Sequence, residues 1–259
     1  MMDTKDQTGG GMDGPIHSLS RDGATIAYRH TPGSGPTIVF LGGFRSDMTG
    51  TKAVALERWA QAHGRSYIRF DYQGHGASSG VWEDCTIGLW LGDALAVLDQ
   101  VAKGPVVLVG SSMGGWVASL VAKARPEQVK SLVTVAAAPD FTERLIWQRL
   151  SAEAQGRLPL EGSFLRPSAY DPAGYRITWK LVQEGRDHLV LGKPLPFTGP
   201  ARLLHGLRDT DVPWGLSLEL AETLSGEDVR LTLVKDGDHR LSRDQDIALL
   251  LETVRAVAS

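Results

Sequence analysis

Short apolar runs alternate along the chain with longer stretches in which apolar side chains recur at helical spacing, the pattern of a largely parallel sheet wrapped by helices. The runs Thr25 to Tyr28, Thr37 to Leu41, Ser66 to Phe70, Val106 to Val109, Ser131 to Val135, Ala201 to His205 and Val229 to Val234 read as strands. Helical spacing lies between them, over about Thr51 to Ala62, Ile87 to Val101, from Met113, over Leu216 to Leu224, and over Gln245 to Val257. Each strand-to-helix step leaves a polar loop at the carboxyl edge of the sheet, where open α/β folds bind their ligands. The pattern breaks from about Asp140 to Gly199. There, Trp- and Leu-containing helical pieces are separated by Pro159, Pro167, Pro172, Pro194 and Pro196, which reads as a cap inserted between two core strands. The expected organisation is a polar leader over residues 1–15, a core over 16–139 and 200–259, and the cap over 140–199.

Composition narrows the function classes. A chain of 259 residues with 42% hydrophobic content can bury one large core. The 27 basic and 30 acidic residues are spread through both halves, so no basic stripe is present to hold a nucleic acid. Cys85 is the single cysteine, which excludes an intrachain disulfide and a cysteine-based metal site and suits a reducing compartment. Met1 to Pro15 is Gly-rich, acidic and without an apolar run, unlike a secretory signal, so a cytoplasmic location is expected. No window approaches the roughly 20 apolar residues of a membrane span.

The strand at Val106 runs directly into Gly110-Ser111-Ser112-Met113-Gly114-Gly115, a G-x-S-x-G between a buried strand and a helix. A turn this sharp places Ser112 at its tip and needs glycines at the flanks, where side chains would collide with backbone. A serine hydroxyl is a weak nucleophile at neutral pH, so a base must accept its proton and an acid must orient the base. Of seven histidines, His17, His30, His63 and His75 precede the nucleophile, His188 lies in the cap, and His205 at a strand end suits packing or backbone pairing. His239, in the loop after the strand at Val229, is the expected base. Asp209, in the loop after the preceding strand, is the expected acid, with Asp140 and Asp211 as alternatives. Asp236 and Asp238 are expected to shape the His239 loop.

An oxyanion needs two preset donors. The amide of Met113, at the amino end of a helix, supplies one, and Gly42-Gly43-Phe44 after the Thr37 strand points to the Phe44 amide for the other. His75, in Asp71-Tyr72-Gln73-Gly74-His75-Gly76-Ala77-Ser78, is expected to brace its loop. Trp147, Trp179, Phe164 and Tyr175 are expected either to pack the cap or to meet an acyl chain.

Together these segments resemble the α/β-hydrolase superfamily, and more narrowly the abhydrolase-domain-containing protein 10 group of palmitoyl-protein thioesterase and acyl-glucuronide esterase relatives, from about Pro36 to Val257. The resemblance is carried by Gly50-Thr51-Lys52-Ala53, Ile68-Arg69-Phe70-Asp71-Tyr72, the elbow through Trp116, Arg125-Pro126-Glu127, Leu203-Leu204-His205-Gly206 with Val212-Pro213-Trp214, and Asp238-His239-Arg240. It implies an α/β-hydrolase fold with a mostly parallel sheet flanked by helices and a small helical cap after the sixth strand. It also implies a serine hydrolase cleaving ester or thioester bonds through Ser112, with Asp209 as acid and His239 as base, and no metal or organic cofactor. The implied partner is a small ester or acyl substrate, with an S-acylated protein as a further candidate. A carbon-carbon hydrolase or perhydrolase on the same triad, and a non-catalytic ligand receptor, are alternative readings. The sequence sets no oligomeric state.

Overall fold

The computed structural model describes residues 14–167 and 172–258. The expected leader therefore lies almost wholly outside the described residues. Eight strands form one sheet: β1 (His17–Arg21), β2 (Ala24–Thr31), β3 (Ser34–Leu41), β4 (Arg65–Phe70), β5 (Val106–Ser111), β6 (Val129–Val135), and, beyond the segment 140–199, two more at Ala201–Gly206 and Val229–Val234. The segment itself carries a separate hairpin of β7 (Ser163–Arg166) and β8 (Tyr175–Thr178), so the two later core strands are β9 and β10. The sheet order is β1-β2-β4-β3-β5-β6-β9-β10; β2 pairs antiparallel with β1 and β4, and the remaining pairs are parallel.

The strand β5 shows why the sheet lies in the middle. All six of its residues are buried, and successive side chains point to opposite faces. Val106 and Leu108 join an apolar cluster with Trp90 and Val97 of α2 (Ile87–Val97) and Trp116 and Val117 of α3 (Met113–Ala124). Val107 and Val109 join the opposite cluster, with Leu56 and Ala60 of α1 (Thr51–Ala62) and Leu250 and Val254 of α7 (Asp244–Val257). Each such buried aliphatic side chain contributes roughly 1.5–3 kcal/mol by removal from water. Of the remaining helices, α4 (Ala152–Glu161) and α5 (Trp179–Gly185) belong to the inserted segment, and α6 (Gly215–Thr223) follows β9. Helix starts follow local chemistry: the hydroxyls of Thr86, Ser151 and Thr178 accept the amides of Leu89, Ala154 and Leu181.

Three elements differ from the pattern-based reading. The helix expected to run to Val101 keeps α-geometry to Val97, then widens into a π-turn over Leu98–Ala102 that Lys103 closes at φ 47°. β1 was not predicted, because of its five residues only Leu19 is buried, too little alternation to read. The inserted segment is not helical alone. Its four-residue strands are too short for a period-2 signal, and Pro167 and Pro172 between them read as loop.

Candidate active site

Ser112 sits between the end of β5 and the start of α3 with φ 54° and ψ −120°, a strained conformation for a residue with a side chain. It is held there by backbone bonds. Its amide donates to the Val135 carbonyl at 2.9 Å, and its carbonyl accepts the amides of Gly115 at 2.9 Å and Ala138 at 3.0 Å. The flanking glycines are required: a Cβ on Gly110 would run into the Gly114 carbonyl, and one on Gly114 into the carbonyls of Leu41 and Gly42.

The structure brings the expected base and acid to this tip. The Ser112 hydroxyl lies 3.1 Å from Nε2 of His239, and Nδ1 of His239 lies 2.7 Å from Oδ2 of Asp209. With Nδ1–H donated to the carboxylate, the Nε2 lone pair faces the serine, the tautomer a base requires. The Asp209 side chain is fully buried and its acceptors are filled: Oδ1 takes the amides of Asp211 (2.9 Å) and Val212 (2.8 Å), and Oδ2 takes His239 and also Nε2–H of His205 at 3.1 Å. Burial alone would raise the Asp209 pKa, but the hydrogen bonds from His205 and His239, the nearby imidazole and the Val212 amide outweigh it and hold the carboxyl far below its usual range.

His205 thus does more than the packing role expected of it. Fully buried, it shares Nε2–H between Asp209 and the Val212 carbonyl (3.0 Å), and its Nδ1 accepts the Ser217 hydroxyl at 2.7 Å. The loops of Asp209 and His239 are also stitched directly, through Arg208 N to Gly237 O (2.9 Å) and Leu207 N to Val234 O (2.9 Å). Asp238 shapes the His239 loop as expected, accepting the amides of Arg240 and Leu241. Asp236 pairs with Arg243 at 2.6 Å. Of the alternative acids, Asp140 spends both oxygens on the amides of Val190 (2.8 Å) and Leu191 (3.0 Å), tying the start of the inserted segment to its later part. Asp211 lies beside the site, its amide held by Asp209.

The loop after β3 carries Phe44, whose ring meets Trp82, Phe141, Tyr175 and Trp90 edge-on at centroid separations of 4.8, 5.4, 5.9 and 6.0 Å. The amides of Phe44 and Met113 bond to no acceptor among the described residues, although the loops bearing them are pinned. Asp71 accepts Met48 N at 2.6 Å and Ala77 N at 2.8 Å, and Nε2 of His75 accepts Arg45 N at 3.2 Å. Burial pushes the His75 pKa down to about 4, so the ring stays neutral and keeps that acceptor.

These groups open onto a cavity of about 620 Å³. Phe44, Ser112, Met113 and His239 line it from the core; Phe141, Leu145, Ile146, Tyr175 and Ile177 line it from the segment 140–199. Of the four aromatic residues singled out in that segment, only Tyr175 reaches the cavity. Trp147 and Trp179 pack on each other at 5.2 Å under Arg186, and Phe164 packs on the core. Sequence reasoning also passed over the cavity's cations Arg45, Lys52, Arg166 and Arg240. Lys52 and Arg240 carried a signal, since each sits in one of the segments that bear the resemblance.

Residues 38–252 match the model of the alpha/beta hydrolase family. The chain belongs to that family. Mouse "Palmitoyl-protein thioesterase ABHD10, mitochondrial" is 43% identical over 230 residues, 88% of this chain and 77% of that protein; its counterpart from Bos taurus is 42% identical over 243 residues, 92% and 78%. Among solved structures, alpha/beta hydrolase domain-containing protein 10 from mouse superposes with a TM-score of 0.88 at 41% identity, covering 94% of this chain and 98% of the other. A putative hydrolase from Agrobacterium vitis S4 gives 0.89 at 41% identity, covering 95% and 100%. The α/β-hydrolase fold class expected from sequence therefore stands, and the chain is a hydrolase of that fold. The cytoplasmic location does not: the mammalian relatives are named as mitochondrial. A lone cysteine suits any reducing compartment and does not separate one from another. No helix among the described residues is long and apolar enough to cross a membrane.

Proposed function

We propose that this chain is a serine esterase or thioesterase that forms an acyl-enzyme on Ser112, with His239 as base and Asp209 as the acid that orients it. The observation that carries the reading is the hydrogen-bonded series Ser112, His239, Asp209 opening onto a cavity with an apolar wall. Ser112 Oγ attacks the acyl carbon as His239 takes its proton, and Asp209 stabilises the imidazolium that forms. The developing oxyanion is received by the amides of Met113 and Phe44; the first also lies at the positive end of α3. His239 then gives the proton to the leaving atom, and water releases the acyl group by the same steps in reverse. Phe44 acts twice: its amide serves the oxyanion, and its ring, wedged among four aromatic rings, fixes where that amide sits.

The segment 140–199 is the cap in this reading, joined to the core by the Trp82 indole donating to the Arg176 carbonyl at 2.9 Å and by the Trp116 indole donating to the His188 carbonyl at 3.0 Å. Its apolar side chains supply the acyl wall. The names of the mammalian relatives favour an S-acyl substrate, so an S-acylated protein joins small acyl esters and thioesters as a candidate. A panel of p-nitrophenyl esters of increasing acyl length, run beside a palmitoyl thioester, tests the reading. Turnover is expected to rise with acyl length as the chain fills the apolar wall; absence of turnover across the whole panel would sink the acyl-transfer mechanism and favour a ligand receptor.

A further inference from the structure

The wall of the cavity around His239 is cationic in a way that the acyl-transfer chemistry does not use. Because His239 returns its proton to the leaving atom, the groups flanking it face the leaving group rather than the acyl chain. Lys52, from the first turn of α1, lines this wall and donates its ammonium to the Arg240 carbonyl, one residue past His239, and to the Ser242 hydroxyl at 3.4 Å. Arg166, at the end of β7, lines it from the cap and feels the charge of Asp211, a carboxylate oxygen of which lies within 4.8 Å of one His239 ring nitrogen and of an Asp209 carboxylate oxygen. Arg240 lines the same cavity.

Neither Lys52 nor Arg166 makes an ion pair among the described residues. Both are partly stripped of water. Burial, and then the charge of Arg240, brings the Lys52 ammonium down to about 8; burial, and then Arg149, lowers Arg166. A desolvated cation that makes no ion pair is costly unless an anion arrives. Asp211 is the one carboxylate residue lining the cavity among the described residues, set against Lys52 and Arg166, with Arg45 also in the lining. The positive excess is larger than a single carboxylate balances, whereas a phosphate group brings about −1.5 to −2 charges at neutral pH. An ammonium point charge beside a guanidinium fork suits phosphate oxygens.

We propose that the wall formed by Lys52 and Arg166 recognises a phosphate-bearing leaving group, so that the substrate is an acyl thioester of a phosphorylated thiol of the coenzyme A kind. This rests on the acyl-transfer reading above. In the reaction, Ser112 Oγ bonds to the acyl carbon, the carbon–sulfur bond breaks, and the thiolate takes the proton held by His239. Water then cleaves the acyl-serine, giving the free acid and the thiol with no change in oxidation state.

The test compares three thioesters of one acyl group, octanoyl: with coenzyme A, with N-acetylcysteamine, which is neutral, and with mercaptoacetate, which carries one carboxylate. At low salt, kcat/KM for the coenzyme A thioester is expected to exceed the neutral one by about tenfold or more, with the carboxylate between, and the gap is expected to shrink as salt screens the charges. Lys52→Met and Arg166→Met are each expected to cost the coenzyme A thioester at least about tenfold more than the neutral one. Equal kcat/KM for the charged and neutral thioesters, or a carboxylate thioester as good as the phosphate one, overturns the proposal. Calorimetric titration of free coenzyme A into Ser112→Ala separates the two levels. Binding weakened by Arg166→Met supports the wall even if no thioester is turned over, which would count against the nucleophile; turnover without coenzyme A binding keeps the nucleophile and removes the wall.

Discussion

Ser112→Ala is expected to lower kcat by at least about 10,000-fold on any acyl substrate the native protein turns over, with the far-ultraviolet circular dichroism spectrum and Tm of the native chain retained. The size follows from the chemistry: without Oγ no acyl-enzyme forms, and the amides of Phe44 and Met113 are left to polarise a carbonyl for attack by water alone. Retention of the fold follows from how the turn is held. Every bond that fixes the elbow, from Ser112 N to Val135 O and from Gly115 N and Ala138 N to Ser112 O, is made by backbone and survives the substitution. The imidazole loses one partner, but at 16% exposure the His239 side chain reaches solvent and replaces it with water. A Ser112→Ala protein that is folded and keeps native kcat would place the chemistry elsewhere.

Asp209→Asn is expected to cost roughly 10,000-fold in kcat and, unlike the serine change, to lower stability as well, by about 1–3 kcal/mol. The carboxylate accepts four hydrogen bonds and donates none. An amide in its place has one oxygen, and its NH₂ must face either two backbone amides or two imidazole N–H groups. If it faces the imidazoles, His239 is driven to the other tautomer, with the proton on Nε2 pointing at Ser112 instead of a lone pair. The same residue gives a signed pH dependence. Because the folded-state pKa lies below the ordinary value of 3.8, the stabilisation by Asp209 is complete above the unfolded-state pKa and is lost as pH falls below it. Thermal unfolding across that acid range should show a smaller fall in Tm for the Asn variant than for the native chain; parallel curves would mean that the carboxylate is not held ionised by its neighbours.

The elements of the sheet could be read from sequence because β3, β5 and β6 are buried on both faces, which leaves short unbroken apolar runs. The elbow was legible for a related reason: the glycines around Ser112 are dictated by backbone collisions that no other residue avoids. His239 followed by elimination and chain order, and its contact with Ser112 and Asp209 is what the structure adds. His205 was read as structural because a histidine at a strand end usually is. Its bond to Asp209 depends on the turn from Gly206 to Val212 folding back over β9, which local pattern does not encode. The cations lining the cavity were invisible for the same kind of reason, since Lys52 comes from α1, Arg166 from the β7–β8 hairpin and Arg240 from the His239 loop, and only the tertiary fold gathers them. The segment 140–199 was legible as an interruption but not as a structure, because four-residue strands flanked by proline carry no periodicity.

The central claim is that Ser112 is the activated nucleophile. It is tested most directly by reacting the native protein with a fluorophosphonate probe and mapping the adduct by peptide mass spectrometry, with Ser112→Ala and His239→Ala in parallel. The expected result is one adduct on the peptide containing Ser112, absent from Ser112→Ala and formed far more slowly in His239→Ala. An unreacted native protein, or an adduct that persists at another residue when Ser112 is gone, would contradict the account.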